Sequence, residues 1–587
     1  MIKGDDPFVL LDDARQGGGA TLFRSPRSIV QALSPDEVDQ ALGEARDGLR
    51  QNLHAAGFLT YEAGYSFDDK LAEFRADARP DALPLAWFGL FEHGQELSAA
   101  ELADFLPPPD AGRALAPEPL IDEQAYAALV SRVQDHIRAG DIYQANLTFQ
   151  SEVRTAGAPL AIYSAIRKRA SGGHCALLFT GTDWILSFSP ELFFSFNDGL
   201  LTARPMKGTA RRTGDADADQ AAAHALASDS KQRAENLMIV DLLRNDLARI
   251  SKPGTVQVPA LFAIEAYPTV LQMTSTVTAK ALPDVDAVAA LRSLFPCGSI
   301  TGAPKLRAME TIFAFEERLR GIYTGAIGHI APDGSASFNV AIRTLWMREG
   351  DEIARVGLGS GIVADSKAAD EWQECLAKGA FIASPQPDFD LFETMRFEPS
   401  EGIIELERHL DRLKRSADSL GFAFNRHGTR NELQAATFRL REPRRIRLML
   451  AASGAIAIET RSCPATKAAM DVAIQPLPVD SADFRLRHKT TDRAFYDKAR
   501  MSSGRDEVVF VDAEGRLTEG SFTNIFMRRG AKLLTPPLAR GLLPGILREK
   551  LIEDGRAMEA DLRPADLKGG FLLGNSMRGL VEARISA

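Results

Sequence analysis

Cysteine is scarce in this sequence, with four residues in a chain of 587. Cys175, Cys297, Cys375 and Cys463 are scattered, and no two of them form a CxxC pair. This spacing indicates neither a zinc ribbon nor a disulfide framework. It is typical of a protein from a reducing compartment.

Long basic runs and long apolar runs are also missing. The formal net charge is -10, so neither nucleic acid nor an acidic membrane surface is expected as a partner. No apolar run is long enough to span a bilayer, and the first residues, MIKGDDPFVLLDDARQGGG, lack the apolar core of a signal peptide. We therefore expect a cytoplasmic protein that does not bind membranes.

The length of the chain predicts at least two domains, because 587 residues exceed what one hydrophobic core supports. A boundary is predicted near 383–390, ASPQPDFD, where two prolines break the pattern after an alanine-rich helix. We predict one domain over 1–383 and an unrelated one over 388–587. The proline-rich segment 106–120 is interpreted as a surface connection.

Runs of helices and runs of strands, rather than strict alternation, favour an α+β fold for the first domain. Apolar residues at helical spacing predict a helix over 123–141, ended by Gly140, and further helices over 229–250 and 368–381. Strands are predicted at 175–181, 184–190 and 192–196, with a hairpin turn at 197–199.

Acidic residues mark two of these predicted helices. Glu235 lies on the first, and Glu371, Glu374 and Lys378 share one face of the second. The spacing alone favours a solvated stripe with an i,i+4 ion pair. The alternative is that carboxylates from both helices converge on a hard cation such as Mg²⁺, which prefers oxygen ligands.

Eight motifs occur in a fixed order along the first domain: GDIYQANLT (140–148), SPE (189–191), RPMKGTAR (204–211), AENLMIVDLLRNDL (234–247), GSITGAPK (298–305), GIYTGAIGHI (321–330), AIRT (341–344) and GSGIVADS (359–366). Together they resemble the chorismate-utilising enzymes, which include anthranilate, aminodeoxychorismate, isochorismate and salicylate synthases. The resemblance covers about residues 1–383. It implies two packed antiparallel sheets with outer helices, and a Mg²⁺-dependent site for chorismate.

The resemblance also implies roles for individual residues. Glu235 and Glu374 match the metal ligands, with Glu371 nearby. Tyr323 and Arg343 match residues that grip the enolpyruvyl carboxylate, which suits an arginine fork. The implied substrate-binding positions are Tyr323, Arg343, Lys378, Ser299, Thr301, Gln144, Gln272 and Gly357. Gln272 stands where many members have histidine.

Two further residues match the catalytic groups. Glu191 matches the general acid that protonates the leaving 4-hydroxyl, a role that needs a raised pKa. Lys207 lies in the sequence PMKGT. Most lysines are surface residues, but at this position the family pattern favours a nucleophile. Members that add water to chorismate carry lysine at the position of Gln144, which argues against an isochorismate or salicylate synthase. Anthranilate synthases typically carry alanine at the position of Lys207, which argues against that activity as well. Lys207 is therefore expected to attack C2 of chorismate before ammonia enters at C4.

The source of ammonia lies outside the recognised motifs. No GxCxG-like nucleophile with a matching histidine occurs in the sequence. We therefore expect a separate glutamine amidotransferase subunit, or free ammonia, as the nitrogen donor.

Five motifs mark the second domain: HLDRLKRSA (409–417), RHKTTDR (487–493), LTEGSFTNIF (517–526), LLPGILRE (542–549) and GNSMRGL (574–580). They resemble the fold-type IV pyridoxal-phosphate (PLP) enzymes, which include branched-chain and D-amino-acid aminotransferases and aminodeoxychorismate lyases. The resemblance implies a D-amino-acid aminotransferase-like α/β domain. Typical members carry an additional β-hairpin before the segment matching LFETMRF (391–397), so the smaller subdomain is expected to be shorter here.

A PLP enzyme needs several groups to bind the cofactor, and the sequence contains a candidate residue for each of them. Lys489 fits the amine that binds the cofactor covalently, and Glu519 fits the carboxylate at the pyridine nitrogen. Arg412 and the backbone amides of Ile546 and Leu547 fit the phosphate site. The remaining candidates, which form a wall around the substrate, are Thr394, Asn575 and Ser576. Each residue alone has a surface interpretation, and the joint pattern favours the cofactor site.

The two resemblances together imply a bifunctional enzyme of folate-precursor synthesis. It would aminate chorismate to 4-amino-4-deoxychorismate and then remove pyruvate, giving 4-aminobenzoate. One alternative is an anthranilate synthase component I fused to a branched-chain or D-amino-acid type aminotransferase. The presence of Lys207 argues against this alternative. Another is a synthase with a non-catalytic C-terminal appendage. A homodimer through the PLP domain is a further expectation.

Overall fold

The computed structural model describes residues 6–75, 82–266, 270–465 and 467–586. The chain divides into two compact units. The first takes the described residues of Met1–Phe105, Ala116–Val153 and Ile166–Ala383, and the second takes those of Leu106–Leu115, Arg154–Ala165 and Ser384–Ala587. No helix in the described ranges is long and apolar enough to cross a membrane.

Two large sheets form the first unit, and their strand pairs run antiparallel. In spatial order, the first sheet contains Gly302–Ala303, Gln144–Ala156, Ile353–Ile362, Thr344–Arg348, Asp183–Ser187, Cys175–Phe179, Phe8–Asp12, Ala20–Arg24 and Gln95–Leu97, and Glu118–Pro119 also pairs with its second strand. The second sheet contains Met206–Arg211, Val270–Lys280, Leu200–Arg204, Leu192–Asn197, Ala336–Val340, Ala326–Ile330, His54–Leu59, Ala86–Phe91 and Ser28–Ala32, with Gln257–Ala266 on Val270–Lys280.

The two sheets share an apolar core, and helices cover their outer faces. The shared core includes Val9 and Ile185 from the first sheet and Phe58 and Trp87 from the second. The helices of this unit are Val38–Arg50, Ala99–Phe105, Glu123–Ala139, Ala216–Ser228, Ser230–Ala248, Ala287–Leu294, Lys305–Phe315 and Ala368–Gly379. The helix Pro159–Ala170 is divided between the two units. The α+β class predicted from the sequence is confirmed.

The second unit contains two sheets of its own. The smaller sheet contains Gly402–Ile403, Leu391–Glu398, Arg444–Leu450 and Ile456–Ser462. The larger contains Leu517–Gly520, Glu507–Val511, Ala469–Pro476, Gly579–Ile585, Phe571–Asn575, Asn524–Arg529, Lys532–Thr535 and Ala557–Glu559, with both parallel and antiparallel pairs. The helices are Leu406–Leu420, Arg426–Thr437, Ala494–Ser503 and Ile546–Glu553.

The segment 106–120 is only in part the surface connection that its prolines predict: Pro108–Asp110 are exposed, but other positions are packed. Its first part, Leu106–Leu115, belongs to the second unit, and Ala111 and Ala114 are buried there. The Phe484 N–H donates to the Ala111 carbonyl at 3.0 Å, and the Ser384 N–H donates to the Ala114 carbonyl at 2.8 Å. This first part of the segment therefore packs against backbone that lies at least 270 residues further along the chain.

Candidate active sites

Lys207 lies on an edge strand of the second sheet, Met206–Arg211, beside the helix Ser230–Ala248. Its Nζ lies 3.0 Å from Oε2 of Glu235 on that helix, and its side chain is 26% exposed. Asn236, fully buried on the next helical position, donates to the Lys207 carbonyl at 3.4 Å and accepts from Ser275 at 2.6 Å. The hydrogen bonds of Asn236 therefore connect the helix to the strand next to the Lys207–Glu235 ion pair.

Glu191 occupies a buried position at the same site. The Ser299 hydroxyl donates to its carboxyl group at 3.0 Å. Burial raises the pKa of Glu191 to about 7, although the Ser299 hydrogen bond and the charges of Lys207 and Lys378 act in the opposite direction. Glu191 can therefore hold a proton near neutral pH, as a general acid must.

Gln144 lies near Lys207. A β-carbon added to Gly361 would lie 2.7 Å from the Gln144 Nε2 and 3.6 Å from the Lys207 Nζ, so both side chains border this glycine. Gln144 is buried, and its Oε1 has no hydrogen-bond partner among the described residues. A buried acceptor left open in this way is available to a ligand.

The predicted metal ligands are held by other partners in this geometry. Glu374 pairs with Lys378 at 2.8 Å, and Glu371 accepts from the Ser366 hydroxyl at 2.7 Å. Burial opposes ionisation of Glu374, but Lys378 and Lys207 outweigh it and hold its pKa below the ordinary value. The i,i+4 ion pair that the helical spacing favoured is therefore formed.

The donor chemistry of Glu235 and Glu374 suits Mg²⁺, since both offer carboxylate oxygens. Within the described ranges, however, no three His, Cys, Asp or Glu side chains are grouped closely enough to hold a metal ion. Their assignment as metal ligands, like that of Glu371, stays a prediction.

The other predicted substrate contacts lie on neighbouring elements. Tyr323 is buried against Gly357, where an added β-carbon would lie 2.1 Å from the tyrosine ring, so only glycine allows this approach. The Arg343 guanidinium lies 5.5 Å from the centroid of the Phe381 ring. The remaining two are Thr301, which donates to the Cys297 carbonyl at 2.8 Å, and Gln272, which accepts from Thr209 at 2.9 Å.

In the second unit, Lys489 is half-buried beside the strand Leu391–Glu398 of the smaller sheet. The Phe392 N–H donates to its carbonyl at 3.0 Å, and its Nζ lies 5.2 Å from the centroid of the Phe392 ring. Burial and the charge of Arg412 lower the pKa of Lys489 to about 7, with Glu393 opposing them. Much of this amine is therefore uncharged at neutral pH, as a nucleophilic lysine requires.

Glu519 is buried on the strand Leu517–Gly520 of the larger sheet. The Tyr496 hydroxyl donates to it at 2.6 Å, and the Leu543 N–H donates at 3.1 Å. Burial raises its pKa to about 7, while Tyr496 and Arg493 favour the ionised form. A fixed carboxyl group of this kind fits the pyridine nitrogen of PLP.

Arg412 is a buried residue of the helix Leu406–Leu420, rather than a solvated one. Its Nε and Nη2 bind the two carboxylate oxygens of Glu393 at 2.8 and 2.6 Å, and its Nη1 donates to the Pro544 carbonyl at 3.0 Å. His409 also contacts Glu393, through Nδ1 at 2.7 Å. Burial works against ionisation of Glu393, but Arg412 and His409 hold its pKa well below the usual range.

Sequence reasoning missed Glu393 and His409, although two signals point to them. Glu393 follows the alternation of Leu391 and Met395, so it is an acidic residue on the core face of a strand. His409 and Arg412 are three residues apart, so they lie on one face of their helix. Together these signals predict a buried charged cluster.

The helix Ile546–Glu553 begins next to the Arg412 guanidinium. No side chain in the described part of the chain caps this helix, so the first-turn N–H groups of Ile546 and Leu547 can bind an anion. Gly545 precedes them, and a β-carbon added there would lie 1.9 Å from the Asn524 Oδ1, so a larger residue would have to displace the Asn524 side chain. Lys489, Glu519 and this arginine-helix pair together fit PLP.

Asn575 and Ser576 lie at the end of the strand Phe571–Asn575. The Asn575 amide donates to the Phe522 carbonyl at 3.0 Å, and its oxygen accepts from the Met577 and Arg578 N–H groups at 3.1 and 2.9 Å. Its side chain therefore stabilises the turn, and Ser576 is half-buried within that turn.

Family models match the chain in two parts. Residues 6–384 match the chorismate binding enzymes, and residues 390–585 match amino-transferase class IV. The chain belongs to the chorismate binding enzyme family and carries a class IV aminotransferase domain behind that region. Both resemblances read from the motifs are thereby confirmed.

Individual curated proteins are similar to part of the chain. The 2-amino-4-deoxychorismate synthase of Streptomyces globisporus is 41% identical over 255 residues, 43% of this chain and 51% of that protein. Aminodeoxychorismate synthase component 1 of Salmonella typhimurium is 39% identical over 260 residues, 44% of this chain and 57% of that protein. The chain thus spans about half the length of these relatives.

Among solved structures, anthranilate synthase component I from Streptococcus pneumoniae superposes with a TM-score of 0.51 at 25% identity. The match covers 65% of this chain and 93% of that protein. It supports the two-sheet architecture of the first unit.

Proposed function

We propose that the first site converts chorismate and ammonia to 4-amino-4-deoxychorismate, and that the second site removes pyruvate to give 4-aminobenzoate. The observation that carries the proposal is the placing of Lys207 beside two different carboxyl groups. Glu235 lies 3.0 Å from its Nζ, and Glu191 has a pKa of about 7. The reaction needs both an attacking amine and a protonated acid.

The first reaction uses these groups in sequence. Lys207 forms a bond to C2 of chorismate, both conjugated double bonds of the ring shift by one position, and the hydroxyl leaves C4 as water with the proton of Glu191. Ammonia then bonds to C4, both double bonds shift back, and the Lys207–C2 bond breaks. An ammonium group paired with Glu235 has no free electron pair, so Lys207 must lose a proton before it attacks.

Several residues would hold the substrate. Mg²⁺, held by Glu235 and Glu374 with Glu371 nearby, would bind the ring carboxylate of chorismate. Tyr323 and Arg343 would bind the enolpyruvyl carboxylate. The remaining groups proposed to contact substrate are Lys378, Ser299, Thr301, Gln144, Gln272 and Gly357.

In the second site, PLP would supply an electron sink conjugated to the substrate nitrogen. Lys489 would bind the cofactor and, with its pKa of about 7, accept and return a proton near neutral pH. Glu519 would hold the pyridine nitrogen. Arg412 and the N–H groups of Ile546 and Leu547 would hold the phosphate, and Asn575 and Ser576 would line the site.

The proposal includes the partners and the location of the protein. A glutamine amidotransferase subunit would supply ammonia, which is supported by the name of the Salmonella relative, component 1 of its synthase. We further propose a cytoplasmic location, from the scattered cysteines, and a homodimer through the second unit. The domain limits 1–383 and 388–587 are proposed as the limits of the two activities.

A second candidate function for the first site is anthranilate synthesis. The likeness to the Streptococcus anthranilate synthase favours it. The two candidates differ in product, because anthranilate carries its amino group at the ring position ortho to the carboxylate. Identification of the aminated product by mass spectrometry and chromatography separates them, and only 4-amino-4-deoxychorismate agrees with the proposed role of Lys207.

The Glu191→Gln variant is expected to slow the amination step by about 10²- to 10⁴-fold, because it removes the general acid. In the wild type, the rate should fall as the pH rises through about 7, because Glu191 then loses its proton. Initial rates should be measured at constant free ammonia over pH 6–9, a range chosen to bracket about 7. The exposed Glu44 offers a control variant, Glu44→Gln, expected to behave as wild type. Full activity of Glu191→Gln would exclude the assignment.

A further inference from the structure

Arg320 is a buried arginine of the first unit whose donors are all used within the protein. Its side chain is 2% exposed, and its Nε and Nη2 bind the two carboxylate oxygens of Glu316 at 2.8 and 2.7 Å. Nη2 also donates to the Asn146 carbonyl at 2.6 Å. Nη1 donates to the Ile300 carbonyl at 3.2 Å and to the Thr324 hydroxyl at 3.4 Å. A guanidinium has five N–H donors, so these contacts occupy all of them and Arg320 is not a substrate-binding group.

The Ile300 carbonyl belongs to the turn that holds Glu191. Ile300 follows Ser299, whose hydroxyl donates to the Glu191 carboxyl group at 3.0 Å. Both residues lie in the single 3₁₀ turn Gly298–Ile300, so a shift of the Ile300 carbonyl also moves the Ser299 side chain. A hydrogen bond of this length is lost when its atoms move apart by more than about 0.5 Å.

The Asn146 carbonyl belongs to the strand Gln144–Ala156, which contributes Gln144 to the same site. Glu316 binds this strand as well, because the Thr148 N–H and hydroxyl donate to its two oxygens at 2.8 and 2.9 Å. The ion pair is therefore fixed to the strand at two residues. Through its Nη1, Arg320 connects the strand to the turn that holds Glu191.

Stability alone does not explain a buried ion pair of this kind. Both charges lose their hydration, and replacing such a pair by apolar residues of similar volume is often neutral or stabilising. Apolar residues, however, cannot hold two backbone carbonyls at defined positions, whereas the planar fork of an arginine can. The pair is therefore best interpreted through the geometry that it imposes on the site.

We propose that Arg320 is a positioning residue that keeps the Ser299 hydroxyl on the Glu191 carboxyl group. Its guanidinium does so by holding the turn Gly298–Ile300 against the strand Gln144–Ala156. The inference rests on the proposed function of the first site, in which Glu191 is the general acid. It assigns Arg320 no contact with the substrate.

The Arg320→Lys variant is expected to keep a cation beside Glu316 but to lose the positioning. A lysine offers three N–H donors, so it cannot bind both carboxylate oxygens and both carbonyls at once. Burial raises the pKa of Glu191 to about 7, and the Ser299 hydrogen bond opposes that rise. Without this bond the pKa should be higher, so the fall of the amination rate should move up by about 1 pH unit, as expected for one hydrogen bond to a charged group.

An infrared titration measures the same group without turnover. The C=O stretch of the protonated Glu191 carboxyl group is identified as the band that Glu191→Gln lacks, and its pH midpoint is measured in the full-length protein without substrate. The midpoint should lie at about 7 in the wild type and about 1 pH unit higher in Arg320→Lys. Lys207 and Lys378, which also lower this pKa, are unchanged. The midpoint does not depend on which product the chain makes, so a failure of the proposed function is distinguished from a failure of this inference.

The Ser299→Ala variant provides the direct comparison, because it removes the hydroxyl itself. Its midpoint should match that of Arg320→Lys, and the double variant should shift no further, since both changes act through one hydrogen bond. A wild-type midpoint in Arg320→Lys, or additive shifts in the double variant, would overturn the proposal. If Arg320→Lys does not fold, Arg320→Met combined with Glu316→Gln leaves no buried charge unpaired and is judged by the same midpoint.

The matched control is Arg292→Lys. Arg292 also binds a carboxylate through Nε and Nη2, that of Asp39 at 2.7 and 3.1 Å, and it lies 5.3 Å from the centroid of the Phe67 ring. Arg320 has a similar ring contact, at 4.4 Å from the centroid of Tyr61. Arg292→Lys should leave the midpoint and the amination rate at their wild-type values. An equal shift in this control would show an unspecific effect of the substitution and would count against the proposal.

Discussion

The Lys207→Ala variant is expected to lose ammonia-dependent formation of 4-amino-4-deoxychorismate by a factor on the order of 10³ or more, as removal of a nucleophile requires. Chorismate binding should remain, because Tyr323 and Arg343, the proposed carboxylate-binding groups, are unchanged. The rate is measured by chromatography of the product, and binding by calorimetry under the same conditions.

Two further variants separate chemistry from charge. Lys207→Arg keeps a cation opposite Glu235 but cannot act as a nucleophile, so it should be as inactive as the alanine variant. Lys252 is an exposed lysine of the same unit, and Lys252→Ala should retain wild-type activity. If Lys207→Ala retains the wild-type rate, the amine does not attack the substrate.

The Lys489→Ala variant is expected to abolish 4-aminobenzoate release while 4-amino-4-deoxychorismate accumulates. The reason is that the half-buried amine with a pKa of about 7 is the proposed covalent anchor of PLP and the proposed proton carrier. Mass spectrometry of the borohydride-treated protein should find the pyridoxyl group on Lys489 in the wild type and no such modification in the variant.

The matched control for this variant is Lys498→Ala, on the helix that follows Lys489. Lys498 is exposed on the helix Ala494–Ser503, and its removal should change neither labelling nor product release. Unchanged 4-aminobenzoate output from purified Lys489→Ala would contradict the lyase assignment.

Local features of the fold could be predicted from the sequence because neighbouring residues determine them. The predicted helix over 123–141 forms as Glu123–Ala139, with Asp122 accepting from the Ala125 N–H and Gly140 ending it at a φ of 81°. The predicted hairpin turn at 197–199 places Asp198 and Gly199 at positive φ. Such caps and turns require only a few adjacent residues.

Features that depend on distant residues escaped prediction. The proline-rich composition of 106–120 indicates a loop, but it carries no sign that Leu106–Leu115 packs with residues near 384 and 484. Which part of the chain a short extended segment packs against depends on burial and on backbone hydrogen bonds to residues that are distant in sequence.

For the candidate sites, the motifs supplied the residues but not their pairing. The sequence identified Lys207 and Glu235 separately, and only the structure brings the amine within 3.0 Å of the carboxylate.

The central claim is that one chain performs both steps in succession, and a single time course tests it most directly. The purified protein, with Mg²⁺ and PLP, is given chorismate and [¹⁵N]ammonium, and products are followed by mass spectrometry. The account predicts that labelled 4-amino-4-deoxychorismate appears first and is then replaced by labelled 4-aminobenzoate and an equal amount of pyruvate. Labelled 2-aminobenzoate as the product, or a labelled intermediate that is never converted, would contradict it.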